Sequence, residues 1–304
     1  MGSASRLLAS LLPWLPRSVV ARVARRYVAE THEEVLAVAG RFHRRGVGST
    51  LDILGENVEE RGEALDVTEE YLGLLDELTR HGLPSHVSVK LTHVGLRIDE
   101  DLAFDNIERL VRRAEELGTF VRIDMEDSST TDASLRIFRG LRASRTAVGL
   151  AIQAYLRRSR ADLESLLELR PDLRICKGIY REPPAIAFQE RQEIRESFLA
   201  LARPLLEAGG RVALATHDPW LVVRSLDLLR ELAVAPERHE FQMLLGVGHE
   251  LRPRIRAAGS RLRIYCPFGP RWYDYSLRRL RENPHVAGYI VKDLLKGLVG
   301  RGRS

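Results

Sequence analysis

Eight short β-rich runs, separated by segments with helical periodicity, constrain the fold of this chain more than any other feature of its sequence. The runs lie at 48–55, 86–92, 120–126, 147–155, 173–180, 211–217, 239–246 and 262–268. Apolar residues at helical spacing fill the gaps between them, for example at 104–118 and 184–208. This alternation predicts an α/β fold, a (β/α)8 TIM-like barrel with an N-terminal helical extension, rather than an open doubly wound sheet.

The chain reads as one barrel domain with an arm, because no linker, low-complexity tract or repeat divides it. We place the helical arm at 1–45 and the catalytic barrel, with a final apolar helix near 286–300, at 46–304. Residues 6–30 combine leucines and valines with five arginines. Such a segment either packs on the barrel or lies at a membrane surface, and the sequence leaves both open. A signal peptide is disfavoured because no clear small-residue cleavage site follows the apolar run.

Composition excludes several classes of function. A net charge of +5 over 304 residues is too small to make the surface of the whole domain strongly basic, so we do not expect nucleic-acid binding. Cys176 and Cys266 lie in apolar runs, which predicts reduced core thiols rather than a disulfide. The nine histidines lack the spacing of metal ligands, so no metal site is predicted. Neither a P-loop nor a dinucleotide-binding fingerprint is present.

The barrel prediction also locates the polar residues of a site. Side chains alternate along a strand, and catalytic groups of such barrels cluster at the C-terminal strand ends. Val87 and Val89 should face the helices, which leaves Lys90 facing inward. The same alternation puts Asp124 inside the barrel on the neighbouring strand, so we expect it to pair with Lys90. The other predicted interior residues are Ser88, Arg122, Glu126, Gln153, Arg174, His217, Gln242, Leu244 and Tyr265.

Cationic residues are the main functional candidates. Only four of the 47 basic residues are lysine, which draws attention to Lys90 and Lys177 within predicted strands. Near the C-terminus, Tyr275, Arg278 and Arg279 share one helix face. Two guanidiniums beside a phenol suit a small carboxylate, although a solvated basic helix face explains the same pattern. Gathered at one barrel mouth, these cations suit a phosphate-bearing cofactor and an acidic substrate.

Seven segments of the chain, in order, resemble the proline dehydrogenases. They are Ser88–Leu91, Ile123–Glu126, Gln153–Tyr155, Arg174–Tyr180, Ala215–Asp218, Phe241–Leu244 and the block from Tyr265 to Arg279. The similarity is to the short monofunctional bacterial members of this FAD-dependent (β/α)8 family. Ile179 and Ser276 depart from the family's usual residues at positions that bear on packing more than on chemistry.

This resemblance implies oxidation of L-proline to 1-pyrroline-5-carboxylate, with FAD as cofactor and a quinone as electron acceptor. The implied substrate-binding residues are Lys90, Tyr180, Leu244, Tyr265, Tyr275, Arg278 and Arg279. The implied cofactor-binding residues are Asp124, Gln153, Arg174, Lys177, Gly178, Tyr180, Thr216, His217 and Gln242. The implied catalytic residues are Lys90, Asp124, Arg174 and Tyr265.

The resemblance further implies a cytoplasmic protein, with peripheral contact at the inner face of the cell membrane as an open alternative. A separate pyrroline-5-carboxylate dehydrogenase would then carry out the next step. Two other interpretations stay open. One is a Schiff-base aldolase that uses Lys90 or Lys177. The other is a non-catalytic, basic, membrane-binding barrel whose site has decayed.

Overall fold

Eight parallel strands close into a barrel in the computed structural model, which describes residues 24–273, 275 and 276. The strands are β1 (Gly48–Ile53), β2 (His86–Lys90), β3 (Val121–Asp124), β4 (Val148–Gln153), β5 (Asp172–Cys176), β6 (Arg211–Ala215), β7 (His239–Leu244) and β8 (Arg261–Phe268). Each strand pairs with the next along the chain, and β8 pairs with β1. The predicted (β/α)8 barrel is confirmed.

Helices surround the barrel and bury one apolar face against it. They are α1 (His32–His43), α2 (Arg61–Arg80), α3 (Glu100–Glu116), α4 (Thr131–Arg142), α5 (Ser159–Glu164), α6 (Arg191–Glu207), α7 (Pro219–Glu231) and α8 (Arg252–Ala257). In α3 the Asp99 carboxylate accepts a 2.8 Å hydrogen bond from the Leu102 amide, which caps the first turn. Apolar residues at helical spacing, such as Ile107, Leu110 and Ala114, are then fully buried.

Strand alternation separates the apolar core from the polar barrel interior. Val87, Val89, Val121 and Ile123 are fully buried in the core between strands and helices, as their alternation predicted. Intervening polar residues point into the barrel, where Lys90 lies in register with Asp124. Because both faces of each strand are covered, polar side chains inside must find partners within the barrel.

Seven of the eight strands end earlier than their β-rich runs suggested, and β8 ends where its run does. Three of these earlier ends bear directly on the site. β2 ends at Lys90, β3 at Asp124 and β5 at Cys176. The residues that follow leave the ladder and form turns over the C-terminal mouth of the barrel, such as the 3₁₀ turn Leu91–His93. Lys177 therefore belongs to a loop at the rim, which explains why strand alternation alone did not point it into the barrel.

The described end of the N-terminal segment packs on the barrel. The Ala29 amide donates to the Pro267 carbonyl at 3.1 Å, and the Gly269 amide donates to the Ala29 carbonyl at 3.2 Å. Val28 is buried beside Leu54. These contacts cover only the last residues of 6–30. The remainder of that segment, and the predicted helix near 286–300, lie outside the described residues.

Helix α1 belongs to the barrel wall, because Val35, Val38 and Ala39 are buried in the main core. The predicted boundary between arm and barrel, at residues 45 and 46, stays a prediction. Among the helices of the described chain, none has the length and apolar character needed to cross a bilayer.

Candidate active site

A network of paired charges lies inside the barrel near its C-terminal mouth. We call it the upper network and define it as Asp52, Lys90, Asp124, Arg174 and Tyr265. Each residue lies on a different strand, namely β1, β2, β3, β5 and β8, and Lys90 and Asp124 are the last residues of β2 and β3. Their strands bring together two carboxylates, two cations and a phenol. Buried charge of this kind is costly unless it is paired or serves a ligand.

Asp124 holds one half of the upper network. Its Oδ1 pairs with Nη1 of Arg174, and its Oδ2 accepts a 2.9 Å hydrogen bond from the Tyr265 hydroxyl. Burial and then the charge of Asp124 raise the pKa of Tyr265 well above its usual value. The phenol therefore stays protonated and donates to the carboxylate at physiological pH.

Lys90 forms the other half, with a partner that differs from our expectation. Its Nζ lies 3.1 Å from Oδ1 and 3.3 Å from Oδ2 of Asp52, which is its ion-pair partner among the described residues. The expected pairing with Asp124 was wrong, because Arg174 reaches across the barrel and engages that carboxylate. Asp52 was missed, although it lies between Leu51 and Ile53 and the same alternation turns it inward.

The charge of Lys90 is secured by its surroundings. Its side chain is 13% exposed, and that of Asp52 is 1% exposed. Burial by itself favours the neutral amine, yet the charges of Asp52 and Asp124 together hold the pKa of Lys90 above its ordinary value. Lys90 is therefore an ammonium at physiological pH and offers a positive charge to an anion at the barrel mouth.

Arg174 is fixed by several partners at once. Besides Asp124, its Nε donates to Oε1 of Gln242 at 2.6 Å and its Nη1 donates to the Ser88 hydroxyl at 3.1 Å. Its Cζ lies 5.2 Å from the centroid of the Tyr265 ring. Its Nη2 is buried without a hydrogen-bond partner among the described residues. A rigid guanidinium with one unmet donor is suited to a ligand acceptor.

Gln153 shows a second unmet polar atom. Its Nε2 donates to the carbonyls of Met125 and Glu126, each at 3.1 Å, and this fixes the orientation of the amide. Its Oε1 is buried without a partner among residues 24–273, 275 and 276. Glu126, predicted to lie inside the barrel, follows the end of β3 and accepts a 3.0 Å bond from the Thr92 amide.

The loop after β5 packs closely against the ring of Tyr155. Gly178 has φ +104°, and a Cβ at this position would overlap the ring of Tyr155. Only glycine both adopts this positive φ and lacks the Cβ that would overlap the ring, so the backbone after Lys177 passes close to Tyr155. Tyr180 follows in the same loop and is half-buried. The loop that carries Lys177 and Tyr180 is therefore held close to Tyr155.

Cations gather around Asp218 on the neighbouring rim. Lys177 Nζ lies 3.6 Å from Asp218 Oδ2, and Arg191 and Arg195 approach the same carboxylate at 3.3 Å and 2.8 Å. Although burial favours the neutral acid, hydrogen bonds from Arg195 and the charge of Lys177 hold the pKa of Asp218 well below its ordinary value. Three cations around one carboxylate leave a local surplus of positive charge, which suits a phosphate group.

Arg191 and Arg195 were missed by sequence reasoning. They lie one helical turn apart at the start of α6, a spacing that places both on one face. The same rim carries Thr216, whose Oγ1 accepts a 3.1 Å bond from the Asp218 amide, and His217, whose Nε2 accepts a 2.8 Å bond from the Leu244 amide. That bond assigns the ring hydrogen of neutral His217 to Nδ1.

Apolar and aromatic residues surround the upper network. Leu244 lies in register with Tyr265. Tyr275 is 9% exposed and packs with Leu54 and Val28. The predicted carboxylate ligands Arg278 and Arg279 lie outside the described residues. Among the predicted site residues, Gln242 is buried and contacts Arg174 and Glu240.

Comparison with known proteins gives concordant findings. A family model described as proline dehydrogenase matches residues 35–291. "Proline dehydrogenase 1" of Bacillus subtilis is 35% identical over 274 residues, which cover 90% of this chain and 91% of that protein. "Proline dehydrogenase" of Deinococcus radiodurans is 34% identical over 289 residues, which cover 93% of each chain.

Solved structures show the same fold. Proline utilization A from Bdellovibrio bacteriovorus, inactivated by N-propargylglycine, superposes with a TM-score of 0.80 at 28% identity. The match covers 86% of this chain and 33% of that chain, so this protein spans about a third of its length. A mutant of proline utilization A from Bradyrhizobium japonicum superposes with a TM-score of 0.71 at 23% identity, which speaks to the fold alone.

Proposed function

Because this chain belongs to the proline dehydrogenase family, we propose that it oxidises L-proline to 1-pyrroline-5-carboxylate with FAD as its cofactor. The family's reaction is the first step of proline catabolism, and the proposal concerns the cofactor, the product and the acceptor. When bound, FAD would accept a hydride from the ring carbon of proline. The observation that carries the proposal is the upper network, in which Lys90 is held charged by Asp52 and Arg174 is held by Asp124, Gln242 and Ser88.

The substrate's carboxylate is the group that this network suits. Asp52 and Asp124 balance Lys90 and Arg174, so the network is close to neutral before substrate binds. A bound carboxylate adds a negative charge that needs further cations. Arg278 and Arg279 would supply them, and Lys90 would complete the set of donors. Tyr265 and Leu244, in register on β8 and β7, would line the pyrrolidine ring.

The residues present fit FAD. The unmet atoms Arg174 Nη2 and Gln153 Oε1 are a donor and an acceptor. They suit the mixed acceptors and donors at the edge of a flavin ring. The cations around Asp218 suit the pyrophosphate, and Gly178 lets the loop that carries Lys177 pack closely on Tyr155. Lys177, Thr216 and His217 would hold the remaining parts.

Arg174 would also act on the chemistry. A fixed cation beside a group that gains negative charge on reduction lowers the energy of the reduced form. Asp124 and Gln242 keep this cation in place, so they act as positioning residues. Asp52 has the corresponding role for Lys90, because it holds the ammonium at the barrel mouth in a single orientation.

The aldolase alternative gains little from the geometry. A Schiff-base lysine must be a neutral amine. The pKa of Lys90 is raised rather than lowered, which opposes that chemistry. Burial lowers the pKa of Lys177, but its Nζ is engaged by Asp218. Neither lysine combines a lowered pKa with freedom from a carboxylate.

The visible spectrum of the purified protein tests the proposal. We expect flavin absorption bands that bleach when L-proline is added without oxygen. Bands that return on addition of a soluble quinone would support quinone as the acceptor. A protein that neither carries nor takes up FAD contradicts the cofactor assignment, and a flavin that L-proline leaves oxidised contradicts the substrate assignment. A colourless protein trapped by borohydride with a keto substrate would support the aldolase.

We further propose that a quinone acceptor would bring the protein to the inner face of the cell membrane. A separate pyrroline-5-carboxylate dehydrogenase would then oxidise the 1-pyrroline-5-carboxylate that this protein releases. Flotation with liposomes, comparing the full chain with one that starts at Thr31, tests the membrane contact. Equal flotation of both proteins, or of neither, would remove the arm from that role.

A further inference from the structure

A groove of about 580 Å³ lies on the outer surface between α1 and α8. Its floor includes Phe42, Val47 and Leu262. Val47 precedes β1 and Leu262 is the second residue of β8, so the groove borders the N-terminal ends of these strands. The site described above lies at their C-terminal ends. The groove's other edge, at His249, follows the C-terminal end of β7, but none of the lining residues belongs to the upper network.

Arginines without ion pairs surround this groove. Arg45 and Arg256 line it and, within the part of the chain that the structure describes, pair with no carboxylate. Other surface arginines, such as Arg113 with Asp76, do form such pairs. Glu250 is the one acidic residue within 41–47 and 249–257, which also contain Arg41, Arg44 and Arg254. The groove is thus a cationic surface with little internal compensation.

A third lining arginine is partly desolvated and oriented. Arg252 Nη2 donates to the Val247 carbonyl at 2.9 Å, and its Cζ lies 5.8 Å from the centroid of the Phe42 ring. Its Nε is buried and has no hydrogen-bond partner among the described residues. An unmet guanidinium donor beside an apolar floor is a favourable place for an anionic acceptor.

The chemistry of the occupant follows from charge and shape. An apolar floor with a cationic rim complements a molecule that has an anionic head and an apolar body. Residues 1–23 contain three arginines and no acid, so that segment of the chain has the wrong charge. The exposed large hydrophobic residues of the described chain are Leu65, Ile179 and Ile186, none of which lines the groove. A recessed floor without protruding apolar residues favours a single small molecule over a bilayer surface.

We propose that this groove binds a small amphiphilic anion of the medium-chain fatty-acid class. The carboxylate would contact Arg252 and Arg256, and the chain would cover Phe42, Pro253 and Ala257. Pockets of comparable volume are typical of small-molecule sites. The proposal does not depend on the proposed function, because no residue of the upper network contributes to it.

Calorimetric titration of the flavin-loaded full chain with decanoate, below its micelle concentration, tests the proposal. Excess L-proline without oxygen keeps the carboxylate away from the barrel mouth. We expect saturable binding at micromolar concentration. Decyl glucoside has the same chain without the charge, and inorganic phosphate has charge without a chain. Each should bind about tenfold more weakly or worse.

Variants locate the binding. Arg256→Glu should weaken the binding of decanoate by about tenfold or more. Arg112→Glu makes the same charge change on an exposed arginine of α3 that lacks a described ion pair, and it should leave the affinity unchanged. Ala257→Trp fills the groove without changing its charge and should also weaken binding.

The contrary outcomes are equally clear. Equal loss in Arg112→Glu would mean general electrostatic attraction, and full affinity in Ala257→Trp would place decanoate elsewhere. If phosphate binds as tightly as decanoate, the alkyl chain contributes nothing to the affinity. Vesicles of anionic lipid that bind in an Arg256-dependent way, with no binding of decanoate, would make the groove a membrane contact. Any of these results overturns the proposal.

Discussion

The barrel interior contains two charged networks with different architectures. The upper network directs its cations at other side chains, as Arg174 does with Asp124, Gln242 and Ser88. The lower network, which we define as Arg122, Asp172, Glu240 and Arg263, lies toward the N-terminal ends of the strands. There, in addition to its ion pair with Asp172, Arg122 donates to the Asp172 carbonyl at 2.6 Å. Arg263 likewise pairs with Glu240 and donates to the Ser49 carbonyl at 2.8 Å.

This difference separates two uses of buried charge. Cations bonded to backbone carbonyls fasten strands to one another, as Arg122 on β3 does with the carbonyls of Leu150 on β4 and Asp172 on β5. Cations bonded to side chains orient one another and can leave a donor for a ligand, as Arg174 does. Gln242 joins the two, since it accepts from Arg174 and donates to Oε1 of Glu240 at 2.5 Å. We therefore expect lower-network variants to affect stability and upper-network variants to affect activity.

The largest expected effect is on folding, in Arg122→Met. Arg122 is 2% exposed and pairs with Asp172 at 2.5 Å, so its loss leaves a half-buried carboxylate without this partner. Breaking a buried pair costs about 3–5 kcal/mol of unfolding free energy. Urea denaturation should show this loss, while kcat of the folded protein at low temperature stays near wild type. Arg112→Met, at an exposed site, is the control and should change stability by less than about 0.5 kcal/mol. A stable but inactive Arg122→Met protein would contradict the assignment of stability to the lower network and activity to the upper network.

Arg174→Met should act mainly on the proposed flavin. Removal of the cation should lower the flavin reduction potential and reduce kcat by about 10²–10³, the usual effect of losing one preorganised donor. Potentiometry and stopped-flow reduction by L-proline measure the two quantities. An unshifted midpoint potential would make Arg174 a structural residue and would erase the contrast with Arg122.

Arg278→Ala and Arg279→Ala test whether the upper network needs added cations. Each should raise KM for proline, at a cost of about 2–4 kcal/mol in binding, while flavin remains bound. Steady-state kinetics and flavin content per protein are the measurements. If KM is unchanged in both variants, the network must bind the carboxylate without them.

Asp52→Asn should give the smallest effect and a distinctive pH profile. In the wild type the pKa of Lys90 is raised, so its charge persists as pH rises. Without the Asp52 carboxylate, that pKa falls and Lys90 loses its proton at lower pH. KM for proline should then be about tenfold higher at neutral pH and should climb further at alkaline pH, where the wild-type value changes little. A parallel pH profile in both proteins would show that Asp52 does not secure the charge of Lys90.

Local pattern was sufficient for the barrel and for the inward-facing residues of the upper network other than Asp52. Period-two alternation around Val87 and Val89 turned Lys90 inward, and the same rule placed Asp124 and Tyr265 inside. The rule works because a strand has only two faces, and one of them must be apolar to pack against helices. It could have identified Asp52 as well. The spacing of Arg191 and Arg195 carried a similar signal.

Only the tertiary structure decided how these residues pair. Lys90 lies on β2 between two carboxylates, Asp52 on β1 and Asp124 on β3, and alternation treats them alike. Arg174 determines the pairing, because it extends across the barrel interior from β5 and pairs with Asp124. Lys90 then pairs with Asp52. A contact between strands that are not neighbours depends on barrel closure and side-chain reach. The sequence determined which residues face inward, whereas the closed barrel determined which charge meets which.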